Sequence, residues 1–199
     1  MIKVSATNLE AYRKYIQEII SLDSLIDTIL RRSKPNNMMT KGTLFHRMLQ
    51  TSEPEKYEEF FSQNCIETAR SVMDYRSPLF EVKKKRLYDT KKGIVSLTGM
   101  ADQILGNKII EIKTRYSPIQ YATYSESLQW RVYCDVFEMK EVQYNVFEFK
   151  HVSDNDYKAC AFFNFYAPKN NHETVYKWIE DYVEFLDLMG LKNAKEVQS

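Results

Sequence analysis

The chain has 199 residues, with 28 Lys+Arg against 27 Asp+Glu and a formal net charge of +1. That length suits one domain built on one core, and 44% hydrophobic with 28% charged residues excludes a disordered chain. A mean hydropathy of −0.49, with no apolar run near the ~18 residues of a membrane span, excludes an integral membrane protein.

In chain order, the apolar spacing of Leu9, Tyr12, Ile16, Ile19, Ile26, Ile29 and Leu30 predicts one helix over about residues 7–32. A second helix is expected from near Thr40, and a third from Glu53 to Met73. The pattern then changes to strands. Phe80–Tyr88 reads as a first strand, Ile94–Ile104 as a second and Lys108–Thr114 as a third. Gly106-Asn107 reads as a tight hairpin turn between the last two. A long helix over about 117–138 follows, then strands at Val142–Phe149 and Tyr157–Tyr166, and a helix at His172–Met189. This order predicts an α/β (α+β) fold, a central mixed sheet flanked by helices, with a helical N-terminal segment. A single domain is expected, divided as 1–75 mainly helical, 76–166 sheet core and 167–199 C-terminal helix.

Near-neutrality argues against a histone-like polycation, but the charge is uneven. Residues 1–134 hold 21 Lys/Arg against 15 Asp/Glu; residues 135–199 hold 7 Lys against 12 Asp/Glu. The densest basic stretch runs from Arg76 to Lys92 through Lys83, Lys84, Lys85, Arg86 and Lys91. Cys65, Cys134 and Cys160 form no CxxC pair and read as buried, reduced thiols. The first fifteen residues hold no apolar core of a signal peptide, so a cytoplasmic protein is expected.

Strand interiors disfavour charge, yet Asp102 lies inside the second strand and Glu111 and Lys113 inside the third. Alternation puts Glu111 and Lys113 on one side and Ile110 and Ile112 on the other. The hairpin brings Asp102 back against Glu111. Two nearby carboxylates repel unless a cation intervenes. A hard divalent cation answers this, and the adjacent lysine suits water positioning and charge stabilisation. The plainer alternative is a salt-bridge ladder on an edge strand.

Gly99-x-x-Asp102, eight intervening residues, then Glu111-Ile112-Lys113 resembles the PD-(D/E)XK nuclease core, with Ala101 where the family has its leading proline. Gly42 and His46 resemble the Gly-x-x-x-His helix motif of the RecB-like branch. Gln129 and Tyr133 resemble its Gln-x-x-x-Tyr motif. Each pair is four apart and so shares a helical face. The resemblance covers about residues 40–150. It implies a restriction-endonuclease-like core and metal-dependent cleavage of DNA. His46, Asp102, Glu111 and the Ile112 backbone carbonyl would hold Mg²⁺ or Mn²⁺, and Lys113 would position water. Gln129 and Tyr133 would support DNA near the site, and Glu81 would match an extra acid. Lys83, Lys84, Lys85, Arg86, Lys91, Lys92 and Arg115 would meet the phosphate backbone. Tyr116, Tyr121, Tyr124 and Trp130 are candidates for base stacking.

No iron–sulfur cluster is expected, unlike in the CRISPR-adaptation members of that branch, because they carry four cysteines and no cysteine group lies near the C-terminus here. The size is similar to phage-type exonucleases, including the lambda-exonuclease type that works beside a strand-annealing recombination protein. The expected activity is that of an exonuclease in DNA recombination, repair or phage DNA processing. A structure-specific, junction-resolvase-like endonuclease and a catalytically silent DNA-binding or inhibitor protein are the alternatives.

Overall fold

The computed structural model describes residues 1–73 and 79–192. The elements are β1 (Ile2–Ser5), α1 (Ala6–Ile16), α2 (Leu22–Ile29), α3 (Asn37–Gln50), a 3-10 turn (Pro54–Tyr57) and α4 (Gln63–Ser71). They continue with β2 (Leu79–Thr90), β3 (Gly93–Leu105), β4 (Lys108–Arg115), α5 (Tyr121–Ser125), α6 (Gln129–Phe137), β5 (Glu141–Glu148), β6 (Ala159–Tyr166) and α7 (Asn171–Leu188).

The six strands form one mixed sheet flanked by helices, which is the expected fold class. β2 runs antiparallel along the length of β3, from Leu79 opposite Ile104 to Thr90 opposite Gly93. The other edge of β3 is divided. Val95–Thr98 pair in parallel with β1, and Gln103–Leu105 pair antiparallel with Lys108–Ile110 of β4. Residues 99–102 have no strand partner there. β4 then pairs in parallel with β5 along its whole length, and β5 antiparallel with β6.

Alternation along the strands feeds two cores. Val95, Leu97, Ala101, Ile109 and Val146 pack with α1, α2, α6 and α7. Ile112, Phe147 and Phe149 pack with Phe45, Met48 and Leu49 of α3 and with Cys65, Ile66 and Ala69 of α4. Gly99 lets α6 approach β3 closely, since a Cβ there would lie 3.0 Å from the Phe137 ring and 3.2 Å from that of Tyr133.

Three expected helices are broken. The helix over 7–32 is two, because Glu18 adopts a left-handed φ of 57° and Ser21 caps a new start by accepting the Ser24 N–H. The apolar period had counted Ile16 and Ile19, and both are exposed. The helix over 53–73 is a 3-10 turn followed by α4, whose start Ser62 caps through the Cys65 N–H. The helix over 117–138 is α5 and α6, parted where the Ser127 hydroxyl accepts the Gln129 N–H. β1 is an additional strand, anchored by buried Ile2 and Val4. Cys65 and Cys134 are buried thiols, but Cys160 is exposed because it lies on the open face of β6.

Candidate active site

The site grows out of the β3–β4 hairpin. Gly106, at φ +57°, takes the left-handed conformation the turn requires. The register from Leu105–Lys108 through Gln103–Ile110 would next set residue 102 opposite 111. At that point the strands part, and side chains replace the ladder. The Asp102 N–H donates to Glu111 Oε1 at 3.2 Å, and the Ile112 N–H donates to Asp102 Oδ2 at 2.8 Å. Each carboxylate thus spans the gap to the other strand's backbone.

Two further groups complete the cluster. Lys113 Nζ lies 2.8 Å from Glu111 Oε2. His46 Nδ1, on α3, lies 3.5 Å from Asp102 Oδ1. The helix comes this close because Gly42 has no side chain: a Cβ there would lie 2.7 Å from Thr114 Oγ1 on β4. One turn later the same helix face presents His46 to Asp102.

The environments of the two carboxylates differ. Burial pushes Glu111, which is 1% exposed, up to about 7, with Asp102 adding to the rise and Lys113 opposing it. Burial acts on Asp102 in the same direction, but the His46 contact, the Lys113 charge and the Ile112 N–H outweigh it and hold its pKa below the usual carboxylate value. For Lys113, burial favours the neutral amine, yet Glu111 and Asp102 overcome this and raise the pKa. The site therefore sets an ionised aspartate beside a charged lysine, with a glutamate beneath whose affinity for a proton is raised.

An open cleft of about 850 Å³ exposes this cluster. His46, Asp102, Ile112, Lys113, Arg115 and Glu81 line it, whereas Glu111 lies behind Lys113. Glu81 falls at the level of Asp102 in the β2–β3 ladder and holds a left-handed φ of 51°, unusual for a residue other than glycine. Among the described residues no three His, Cys, Asp or Glu side chains converge as a ready metal cage. The donor types nevertheless suit a hard divalent cation. His46 and Asp102 sit together at the cleft, and Glu111 would supply a third donor only if Lys113 left one of its oxygens.

The other expected residues are placed as follows. Gln129 donates from Nε2 to the Tyr133 hydroxyl at 2.8 Å, and Tyr133 is buried beneath Gly99, with burial and the nearby Glu111 raising its pKa. Neither lines the cleft. Alternate members of the basic run are engaged: Lys84 pairs with Glu138, and Arg86 with the buried Asp135. Lys83 and Lys85 are exposed on the other side of β2. Lys92 pairs with Asp187 on α7, and the Lys91 N–H donates to Glu180. Arg76 lies outside the described residues. Tyr124 and Trp130 are buried, Tyr121 packs against Phe163 and Phe165, and Tyr116 lines the cleft. Residues not singled out from sequence also line it: Arg47, beside His46, and exposed Met38, Met39 and Met100.

No family model matches this chain, and no curated protein matches it. Among solved structures it is similar to that of SSO0001, with a TM-score of 0.56 at 15% identity over 93% of this chain and 77% of that one. The two share a fold. Lesser likenesses run to LHK-Exo, an alkaline exonuclease from Laribacter hongkongensis, in complex with dAMP (TM-score 0.47, 14% identity, 98% and 94% covered). Another is Scheffersomyces stipitis Rai1 (TM-score 0.40, 12% identity, 93% and 60% covered). At these TM-scores the likeness carries no argument about this chain.

Proposed function

We propose that this chain is a Mg²⁺- or Mn²⁺-dependent deoxyribonuclease that hydrolyses phosphodiester bonds, working from DNA ends as an exonuclease. The observation that carries the reading is the reciprocal bridge between Asp102 and Glu111, with His46 on one carboxylate and Lys113 on the other, at the floor of an open cleft. A salt-bridge ladder accounts for Glu111 and Lys113, and the strand bridge for Asp102 Oδ2, but neither accounts for the ionised Oδ1 set beside His46 at the cleft.

His46, Asp102, Glu111 and the Ile112 carbonyl would hold the cation. When bound, it neutralises charge on the scissile phosphate and acidifies water. Asp102 stays ionised through the His46 contact, the Lys113 charge and the Ile112 N–H it accepts, so it offers full negative charge at neutral pH. Lys113 reaches the cleft with its charge intact. Its ammonium holds the attacking water by a hydrogen bond and stabilises the negative charge that grows on the phosphate. The raised pKa of Glu111 belongs to the metal-free site; with the cation bound it would be the ionised third ligand, released to that role as Lys113 turns to the substrate.

One observation favours a second reading, a nucleic-acid-binding protein without catalysis: both Glu111 oxygens are held by protein donors. A single set of assays separates these. Wild-type protein with Mg²⁺ or Mn²⁺ should shorten a labelled linear duplex from its ends. Lys113→Ala should lose on the order of 10²-fold in rate and keep DNA binding. Full activity in that variant refutes the assignment. Cutting of closed circles converts it to an endonuclease. No cutting, together with no Mn²⁺ heat in calorimetry, selects the silent protein.

A further inference from the structure

One wall of the cleft, between Asn36 and Arg47, belongs to an unusual stretch of sequence. Residues 28–52 contain no Asp or Glu, yet carry Arg31, Arg32, Lys34, Lys41, His46 and Arg47. The stretch runs through the end of α2, the connecting segment and α3. Residues 31–40 are exposed throughout, and so is Arg47. Arg31 holds a left-handed φ of 54° just past α2, a position where glycine is the unstrained choice. The chain keeps a guanidinium there.

These cations are free. Among the described residues, Arg31, Arg32, Lys34 and Arg47 form no ion pair, whereas Lys84, Arg86 and Lys92 of the β2–β3 hairpin are each paired with a carboxylate. Phosphate binding draws on free cations, because a paired one must first give up its carboxylate. The basic run that dominates the sequence is thus half spent on α6 and α7, with Lys83 and Lys85 left exposed on β2, and a second set of unpaired cations lies on the segment between α2 and α3 and, at Arg47, on the cleft wall.

The mouth of the same cleft is apolar. Met38, Met39 and Met100 are 49%, 53% and 54% exposed, and all three line it. Phosphates and sugars offer nothing to such a surface. A paired duplex hides its base faces in the stack, whereas an unpaired base presents an aromatic face that a thioether contacts favourably.

We propose that the cleft takes nucleic acid as a single strand or an unpaired end, with unstacked bases against Met38, Met39 and Met100, a phosphate on Arg47 at the cleft wall, and the strand continuing outward over Arg31, Arg32 and Lys34 on the exposed segment that leads into α3. This rests on the nuclease reading for the identity of the cleft. It names the strand state of the substrate and moves the phosphate contacts off the lysine run.

The test is binding alone, by fluorescence anisotropy of metal-free protein with a labelled oligonucleotide, single-stranded and as its blunt duplex, across a salt series. The wild type should bind the single strand more tightly. The R31E/R32E/K34E protein should lose at least tenfold in affinity. Its log–log salt slope should fall by about 2, since each phosphate contact on a single strand contributes about 0.7. The M38S/M39S/M100S protein should lose about fivefold or more on the single strand, with the salt slope unchanged. All substituted side chains are exposed, and an unchanged melting temperature confirms the fold. Undiminished binding by the charge-reversed protein overturns the proposal, as does equal binding of duplex and single strand. Cleavage is not read here. A protein that binds as described yet cuts nothing refutes the nuclease reading alone. One that cuts, while its charge-reversed form binds normally, refutes this inference alone.

Discussion

Replacing Gly42 with alanine tests how the histidine is delivered to the site. In an exposed helix interior this exchange gains about 1 kcal/mol in propensity. Here the new Cβ would lie 2.7 Å from Thr114 Oγ1, where ordinary contact begins at 3.4 Å, an overlap of 0.7 Å. Overpacking of that kind costs about 1–3 kcal/mol, so the net effect should run from neutral to a loss of about 2 kcal/mol. Thr114→Ala removes the clashing oxygen and leaves the Cβ, 3.9 Å away. In that background Gly42→Ala should stabilise by about 1 kcal/mol, a coupling of roughly 1–3 kcal/mol between the sites. Urea denaturation of the four proteins, with unchanged m values, measures it. The proposed nuclease activity should follow the same pattern, because lifting α3 lengthens the 3.5 Å His46–Asp102 contact. Equal cost of Gly42→Ala in both backgrounds, or outright stabilisation of the wild type, refutes the argument.

Glu111 makes the metal-free protein sensitive to pH. A carboxyl whose pKa is raised on folding contributes stability at low pH that is lost as pH rises, here from about 4.5 to about 7. At about 1.4 kcal/mol per unit that is roughly 3 kcal/mol. Urea midpoints in chelator at pH 5 and pH 8 should therefore fall for the wild type and stay level for Glu111→Gln, and parallel falls would rule the glutamate out. Asp102 acts with the opposite sign below pH ~4, where its lowered pKa makes stability fall as pH drops, so the two windows do not overlap. Asp135 accepts from the Tyr88 hydroxyl at 2.5 Å and contacts Arg86 and His172, so Asp135→Ala should cost about 3 kcal/mol in thermal denaturation. Lys84→Ala, which breaks an exposed pair, should cost less than about 1 kcal/mol in the same assay. Gly99→Ala should destabilise by about 1–3 kcal/mol by lifting α6 from β3, and Phe137→Leu should recover part of the loss.

The hairpin that carries Asp102 and Glu111 was legible because its signals are local. Gly106-Asn107 sets the turn, and counting outward from it sets 102 against 111. The i, i+4 pairs were legible for the same reason. What those pairs touch was not. Gly42 matters because of Thr114, seventy-two positions away, and Gly99 because of Phe137. The lysine run misled in a related way. Charge shows in a sequence, but whether it is free depends on partners about fifty residues on: Glu138 for Lys84, and Asp135 for Arg86. The long helices failed where one residue changed the backbone, at Glu18, or where a serine competed for the next N–H, at Ser62 and Ser127.

The divided edge of β3 has a consequence for how the chain comes to life. The hairpin can close by itself, but the opening at residues 99–102 is framed only once residues 2–5 have paired with 95–98. Glu111 becomes sealed only when it pairs with Tyr144 on a strand formed later in the chain. Before that, Glu111 is a solvated carboxylate with an ordinary pKa, and Lys113 is an ordinary surface lysine. A nascent or partly unfolded chain therefore carries the groups of the proposed nuclease site without their tuning. Competence arrives with the final, long-range pairings, which are the slow ones, so activity is itself a report that folding has finished.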